Sequence, residues 1–156
     1  MLRRYLCTMF LVAALAPDTA IAADIEELVR QADRVVVGTT GVSVSRWDGS
    51  SRIIMTETMV HVSQVVKGPA TAQIVVTTPG GVLPANNVAM IVPDMPQFAR
   101  NEDVVLFLRD DHTGRSQVVG GAAGKLHVTR DATTGERLVG RATLENLLRQ
   151  IGQAAR

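Results

Sequence analysis

Aromatic side chains are scarce in this 156-residue chain, which has one tryptophan, one tyrosine and three phenylalanines. Grooves for single-stranded nucleic acid stack bases on aromatic rings in a basic channel, and this composition offers neither the rings nor the charge. Lys and Arg number 16 against 15 Asp and Glu. Such a balanced chain has no cationic excess to exchange for counterions on a polyanion. The same scarcity of rings leaves few platforms for a sugar.

Cysteine occurs once, as Cys7, inside the apolar run Tyr5 to Ala16. Arg3 and Arg4 precede that run, and Ala20-Ile21-Ala22 follows it. A charged start, an apolar stretch and a small-residue triplet are the order of a secretory signal peptide, with cleavage expected after Ala22. The run is too short to span roughly 30 Å of hydrocarbon. Because Cys7 lies within the run and not at the cleavage point, lipid anchoring is not expected. The chain therefore reads as a leader over 1–22 and a single domain over 23–156, periplasmic or secreted, with no membrane span once the leader is removed. Loss of Arg3, Arg4 and Asp18 leaves 14 basic against 14 acidic residues. The remaining domain carries no thiol, which excludes disulfides, thiolate-bound zinc and a cysteine nucleophile.

Motifs of catalysis are missing as well. His61, His112 and His127 are the only histidines, and none lies within four residues of another, so a helical metal-binding pair is absent. Asp110-Asp111-His112 and Glu102-Asp103 flank an apolar stretch without the spacing of a calcium loop. None of Ser43, Ser45, Ser50, Ser51, Ser63 and Ser116 sits in G-x-S-x-G. The glycine pairs Gly38/Gly41 and Gly80/Gly81 do not open into a helical pattern, and Lys67 precedes Gly68, the reverse of a phosphate loop. No catalytic residue, metal ligand or cofactor is therefore assigned.

What is present is strand signal. Arg34 to Ser45 is rich in β-branched residues and interrupted by Gly38 and Gly41, which predicts bulges. Trp47-Asp48-Gly49-Ser50 reads as a hairpin turn. In Arg52 to Val66, Thr56, Thr58, Val60 and Val62 share one face while Glu57, Met59 and His61 share the other, and a phase shift at Ser63-Gln64 predicts another bulge. Further strands are expected over Gln73 to Thr78, Asn87 to Val92, Gln117 to Val119, Lys125 to Thr129 and Arg137 to Val139, with Pro79 to Asn87 as a turn region. Val104 to Arg109 is almost continuously apolar, as expected of a strand buried on both sides.

Helices are expected at the two ends. One starts from Asp24 as N-cap with Ile25, Leu28 and Val29 on one face; the other starts from Thr143 as N-cap with Leu144, Leu147, Leu148 and Ile151 aligned. About seven short strands with no helix between them predict a mainly β fold, a small closed or partly open barrel of the oligonucleotide/oligosaccharide-binding (OB) type.

The succession ADRVVVGT, W-D-G, VVKGP, TTPGG, PQFARNEDVVLFL and VVGGAAGKLHV, over about Ala32 to Val128, resembles a group of exported bacterial proteins of unknown function. Asn101 and Ala123 stand where that pattern has Gly and Gln. More distantly, ADRVVVGT with the VVKGP strand and QIVVTTPGG looks like the amino-terminal domain of the tissue inhibitors of metalloproteinases. That resemblance implies a netrin-like barrel with flanking helices. It does not carry the inhibitors' mechanism, which depends on an amino-terminal cysteine that this domain lacks.

Two functional readings follow. The first is a non-catalytic exported module whose loops meet a protein partner in the cell envelope. Its candidate binding residues are Met95 and Phe98 in the loop Pro93 to Arg100, where Phe98 also suits ordinary barrel closure. The second is an exported hydrolase or metal-dependent enzyme, which would need His61, His112 or His127 beside a carboxylate in a shared pocket.

Overall fold

The computed structural model of the protein describes residues 18–111 and 113–156, with side chains from residue 24 onward. Helix α1 spans Asp18–Gln31. Asp24 is therefore inside the helix and is not its N-cap. The residues before it include Ala20, Ala22 and Ala23, strong helix formers with no stop signal among them, so the helix continues back through them. Ile25, Leu28 and Val29 form the buried face, as their spacing predicts.

The strands β1 (Arg34–Trp47), β2 (Ile54–Lys67) and β3 (Gln73–Pro79) form an antiparallel meander. β1 is one long strand with register shifts at Val35/Val36, Val37/Gly38 and Thr40/Ser43, so both glycine interruptions fall at bulges. Across from it, Val62 and Gln64 pair with Gly38 and Val37, leaving Ser63 as the extra residue where the apolar phase slips. Bulges bend a strand and increase its twist, which lets this sheet curl. A short hairpin follows, β4 (Gly81–Leu83) and β5 (Val88–Met90), joined by a 3-10 turn over Pro84–Asn86. The region expected to be only a turn thus contains a strand, and Asn87 is left-handed at the corner.

Next come β6 (Asp103–Asp110), β7 (Ser116–Val118) and β8 (Lys125–His127). β6 pairs with β1 on one edge and with β7 and then β8 on the other. β7 also meets β3, in parallel, through Val76 and Ser116. The order β1-β2-β3-β7-β6 closes back on β1, giving a five-stranded barrel of the expected type. The segments β9 (Thr129–Arg130), β10 (Arg137–Val139) and β11 (Ala142–Thr143) make a small outer sheet that leads into α2 (Leu144–Ala154). Among the described residues there are thus eleven strands; the excess over seven consists of pieces two or three residues long. Thr143 caps α2 by accepting from the Asn146 N–H. No helix of the described residues is long and apolar enough to cross a membrane.

Two cores share the barrel wall. Val36, Val60, Val76, Val104, Leu106 and Leu108 fill its interior. On its outer side Val35, Val37, Val105 and Phe107 meet α1 and α2 through Ile25, Val29, Leu147 and Ile151. Val104 to Leu108 are all fully buried because alternate side chains serve the two cores, which accounts for the unbroken apolar run. Each contributes about 1.5–3 kcal/mol by leaving water. Lys67, of the Lys-Gly-Pro corner, donates from Nζ to the carbonyls of Val29 and Ala32, both at 2.7 Å. The lysine of that motif thus satisfies the C-terminal end of α1.

At Gly38 a Cβ would lie 2.5 Å from the His61 carbonyl oxygen and 2.9 Å from Val60 Cγ1. Gly38→Ala should therefore cost about 1–3 kcal/mol by overpacking. Urea unfolding measures this; an unchanged midpoint would show that the β2 backbone moves aside freely.

Candidate functional site

The inward rows of the first three strands change character along the barrel. Near one end they are valines and Ile74, while toward the other they become Ser43 and Ser45 on β1, Thr56 and Thr58 on β2 and Thr78 on β3. Buried hydroxyls need partners, and here they pair across strands. Ser43 Oγ meets Thr58 Oγ1 at 2.9 Å and Ser45 Oγ meets Thr56 Oγ1 at 2.8 Å, while Thr56 Oγ1 donates to the Gly80 carbonyl at 2.6 Å. Thr58 and Thr78 are buried. β4 crosses directly over this floor, since a Cβ at Gly81 would lie 2.2 Å from Thr56 Oγ1. Gly81 also has φ +143°, so no other residue type fits there.

Above the floor stand Val82, Met90, Ile91, Met95 and Phe98, enclosing a cleft of about 370 Å³. The residues lining it are hydroxyl, glycine, apolar or amide types, and no titratable side chain is among them. The hydroxyls lack a base, so the cleft has no means of proton transfer through its own side chains. It is suited to holding an uncharged, largely apolar group over a floor of hydroxyls.

The loop carrying Met95 and Phe98 is anchored at several points. The Ala122 N–H donates to the Asp94 carbonyl at 2.7 Å, and Thr40 Oγ1 donates to that of Ala99 at 2.5 Å. Lys125 Nζ donates to the Gln97 carbonyl at 2.5 Å and sits 5.1 Å from the centre of the Phe98 ring. Glu102 holds this lysine at 2.7 Å, accepts from the Ala99 N–H at 3.1 Å and meets His127 Nδ1 at 2.9 Å. The Lys125 and Glu102 side chains are only 13% and 12% exposed. Burial alone would raise the Glu102 carboxyl; the Lys125 ammonium, the Ala99 N–H and His127 outweigh it and hold the group below its ordinary 4.5.

A scan against protein-family models finds no match to the chain, and a search of curated proteins also finds none.

Met95 and Phe98 thus share one cleft, and Phe98 also packs against the inner core. Other candidate residues stay apart. His61 is exposed and meets Gln73 at 3.3 Å, His127 meets Glu102, and His112 lies outside the described residues. Neither described histidine hydrogen-bonds to a serine. Asp110 is committed to Arg34 at 2.6 Å and to Ser116 at 2.8 Å, Asp103 to Thr39, and Asp111 to the backbone of its own turn. Among the described residues no three acidic or histidine groups gather to hold a metal. Two larger surface depressions, about 530 and 570 Å³, are open and lined in part by Arg149 with its partner Glu145 and by the end of α2. Asn101, where the resembled pattern has glycine, adopts φ +60°, a conformation asparagine tolerates better than most residues.

Sequence reasoning passed over the hydroxyl floor and the Glu102–Lys125 pair. The floor had a signal, since Thr56 and Thr58 occupy the same row as Val60 and Val62, but the serines opposite them were legible only with the strand register.

A carboxylate whose folded-state pKa is depressed contributes stability that is complete above its ordinary value and lost as pH falls through the lowered one. Thermal unfolding of the wild type and Glu102→Gln between about pH 6 and pH 3 should therefore give curves that converge toward the acid end. A constant gap would rule out the carboxylate as the anchor.

Proposed function

We propose that the protein is a non-catalytic, exported binding module whose barrel mouth receives an uncharged, largely apolar part of a protein partner in the cell envelope. The observation that carries this reading is the cleft itself, apolar at the rim, hydroxyl-lined at the floor and free of titratable side chains. Val82 and Ile91 at its edge are 58% and 78% exposed, apolar surface that a partner would cover. The anchored loop holds Met95 and Phe98 beside this surface in a fixed shape, which reduces the entropic cost of binding. The likeness to the exported bacterial proteins and, more distantly, to netrin-like barrels belongs to the same proposal, supported by the motif order and the closed barrel.

Export rests on the leader pattern before Ala23. Cleavage after Ala22 would shorten α1 and leave Ile25, Leu28 and Val29 in place on the outer core. Amino-terminal sequencing of protein recovered from the periplasm or medium should begin at Ala23; an uncleaved start would overturn the export reading.

Chemical cross-linking in intact cells, followed by recovery of the protein, tests the binding role. A defined partner should be captured by the wild type and reduced about tenfold or more by Met95→Asp, which places a charge in an uncompensated apolar site. Equal capture by both proteins would exclude this cleft as the contact.

A further inference from the structure

Beyond Thr40, β1 is hydrogen-bonded to a strand on one side only among the described residues. Its pairing with β6 ends at Thr39 and Asp103, and the last bonds on that side are Thr40 N–H to the Glu102 carbonyl and Asn101 N–H to the Thr40 carbonyl, both 2.9 Å. From Ser43 to Trp47 the strand pairs with β2 alone among the described residues.

The register tells which backbone groups are left over. Antiparallel pairs alternate between bonded and non-bonded, and the Asp48 N–H donates to the Ile53 carbonyl at 2.8 Å, so Arg46 with Met55 and Val44 with Glu57 are the bonded pairs. The Ile54 carbonyl accepts from Gly80 N–H on the β3 side at 2.7 Å, which agrees with a non-bonded pair of Trp47 and Ile54. Ser43, Ser45 and Trp47 therefore turn their N–H and C=O groups to the open edge. The same alternation turns the side chains of Ser43 and Ser45 into the cleft.

Exposed edges are normally guarded by charged side chains, proline, β-bulges or an inward charge. The stretch Ser43-Val44-Ser45-Arg46-Trp47 lies past the bulge at Thr40/Ser43 and has no proline and no inward charge; its one charge, Arg46, points outward and is paired with Glu57. Val42 and Val44 beside it are 56% and 53% exposed.

We propose that this edge accepts an extended segment of a partner protein as an added strand, whose backbone bonds Ser43, Ser45 and Trp47. In the bonded pairs so formed, partner residues opposite Ser43 and Ser45 lie on their face of the sheet and enter the cleft. Those residues are uncharged and apolar, since the cleft offers no countercharge. A second copy of this chain fits less well, because self-pairing sets Ser43 and Ser45 against one another and leaves the apolar cleft unfilled. The proposal rests on the cleft being a protein-binding site and specifies how it binds.

The test uses a random linear heptapeptide library on phage, selected against the immobilised protein, with amide hydrogen exchange as readout. In the free protein the Ser43, Ser45 and Trp47 amides should exchange rapidly while Val44 and Arg46 are protected. Selected peptides should carry apolar residues at alternate positions and protect all three. Ser45→Pro removes one edge donor without touching the β2 ladder and should weaken binding about tenfold or more, and clearly more than Ser45→Ala, which loses the hydroxyl and keeps the N–H; equal losses in the two variants overturn strand addition. Continued protection of Val44 and Arg46 in the proline variant certifies its fold. Peptides that protect other amides overturn strand addition but leave the binding module standing. No enrichment also overturns it, with capture through Met95 decided separately, and edge amides already protected in a solution dimer overturn it in favour of self-pairing.

Discussion

Val104 to Leu108 serve two cores from a single strand, and the rest of the molecule is arranged around that constraint. With Val104, Leu106 and Leu108 inside the barrel and Val105 and Phe107 beneath the helices, β6 has no face left for water. A strand so enclosed needs neighbours on both edges to satisfy its backbone, and β1 supplies one while β7 and β8 supply the other. The helices are held by the outer half of this arrangement, and Lys67 ties the barrel back to the end of α1.

The same economy explains where the cleft lies. Apolar side chains fill the barrel where five strands surround it, but β1 and β2 extend beyond β6, where the β4–β5 hairpin and a loop take its place. Valines in that region would face a half-open space. Serines and threonines occupy it, bonded to one another in pairs, and the apolar cover is provided by the β4–β5 hairpin and the loop carrying Met95 and Phe98. Closure by Phe98 and exposure of Ile91 are thus two sides of one segment, the first turned to the inner core and the second to solvent.

Much of the barrel was legible in the sequence. The glycine bulges, the shift at Ser63, the doubly buried strand and the Thr143 cap were read from period, branching and capping chemistry, all of which depend on near neighbours. The differences between sequence pattern and structure are local as well. Asp24 is a plausible cap, but the alanines before it continue the helix, and the Pro79 to Asn87 turn conceals β4, a strand too short to show a period. Of the site, Met95 and Phe98 stood out as apolar residues in a proline-rich loop, whereas Ser43 and Ser45 looked like ordinary polar positions.

By itself the sequence determined which side chains share a face of each strand, because alternation along an extended backbone is a matter of geometry alone. It also determined that no cysteine follows Cys7 and that no two histidines lie within four residues of each other. Only the tertiary structure decided that Ser45 faces Thr56, that Glu102 secures the loop through Lys125, and that β1 outruns its neighbour. Those facts depend on register and closure, which join residues far apart in the chain through backbone bonds that any residue type except proline can make.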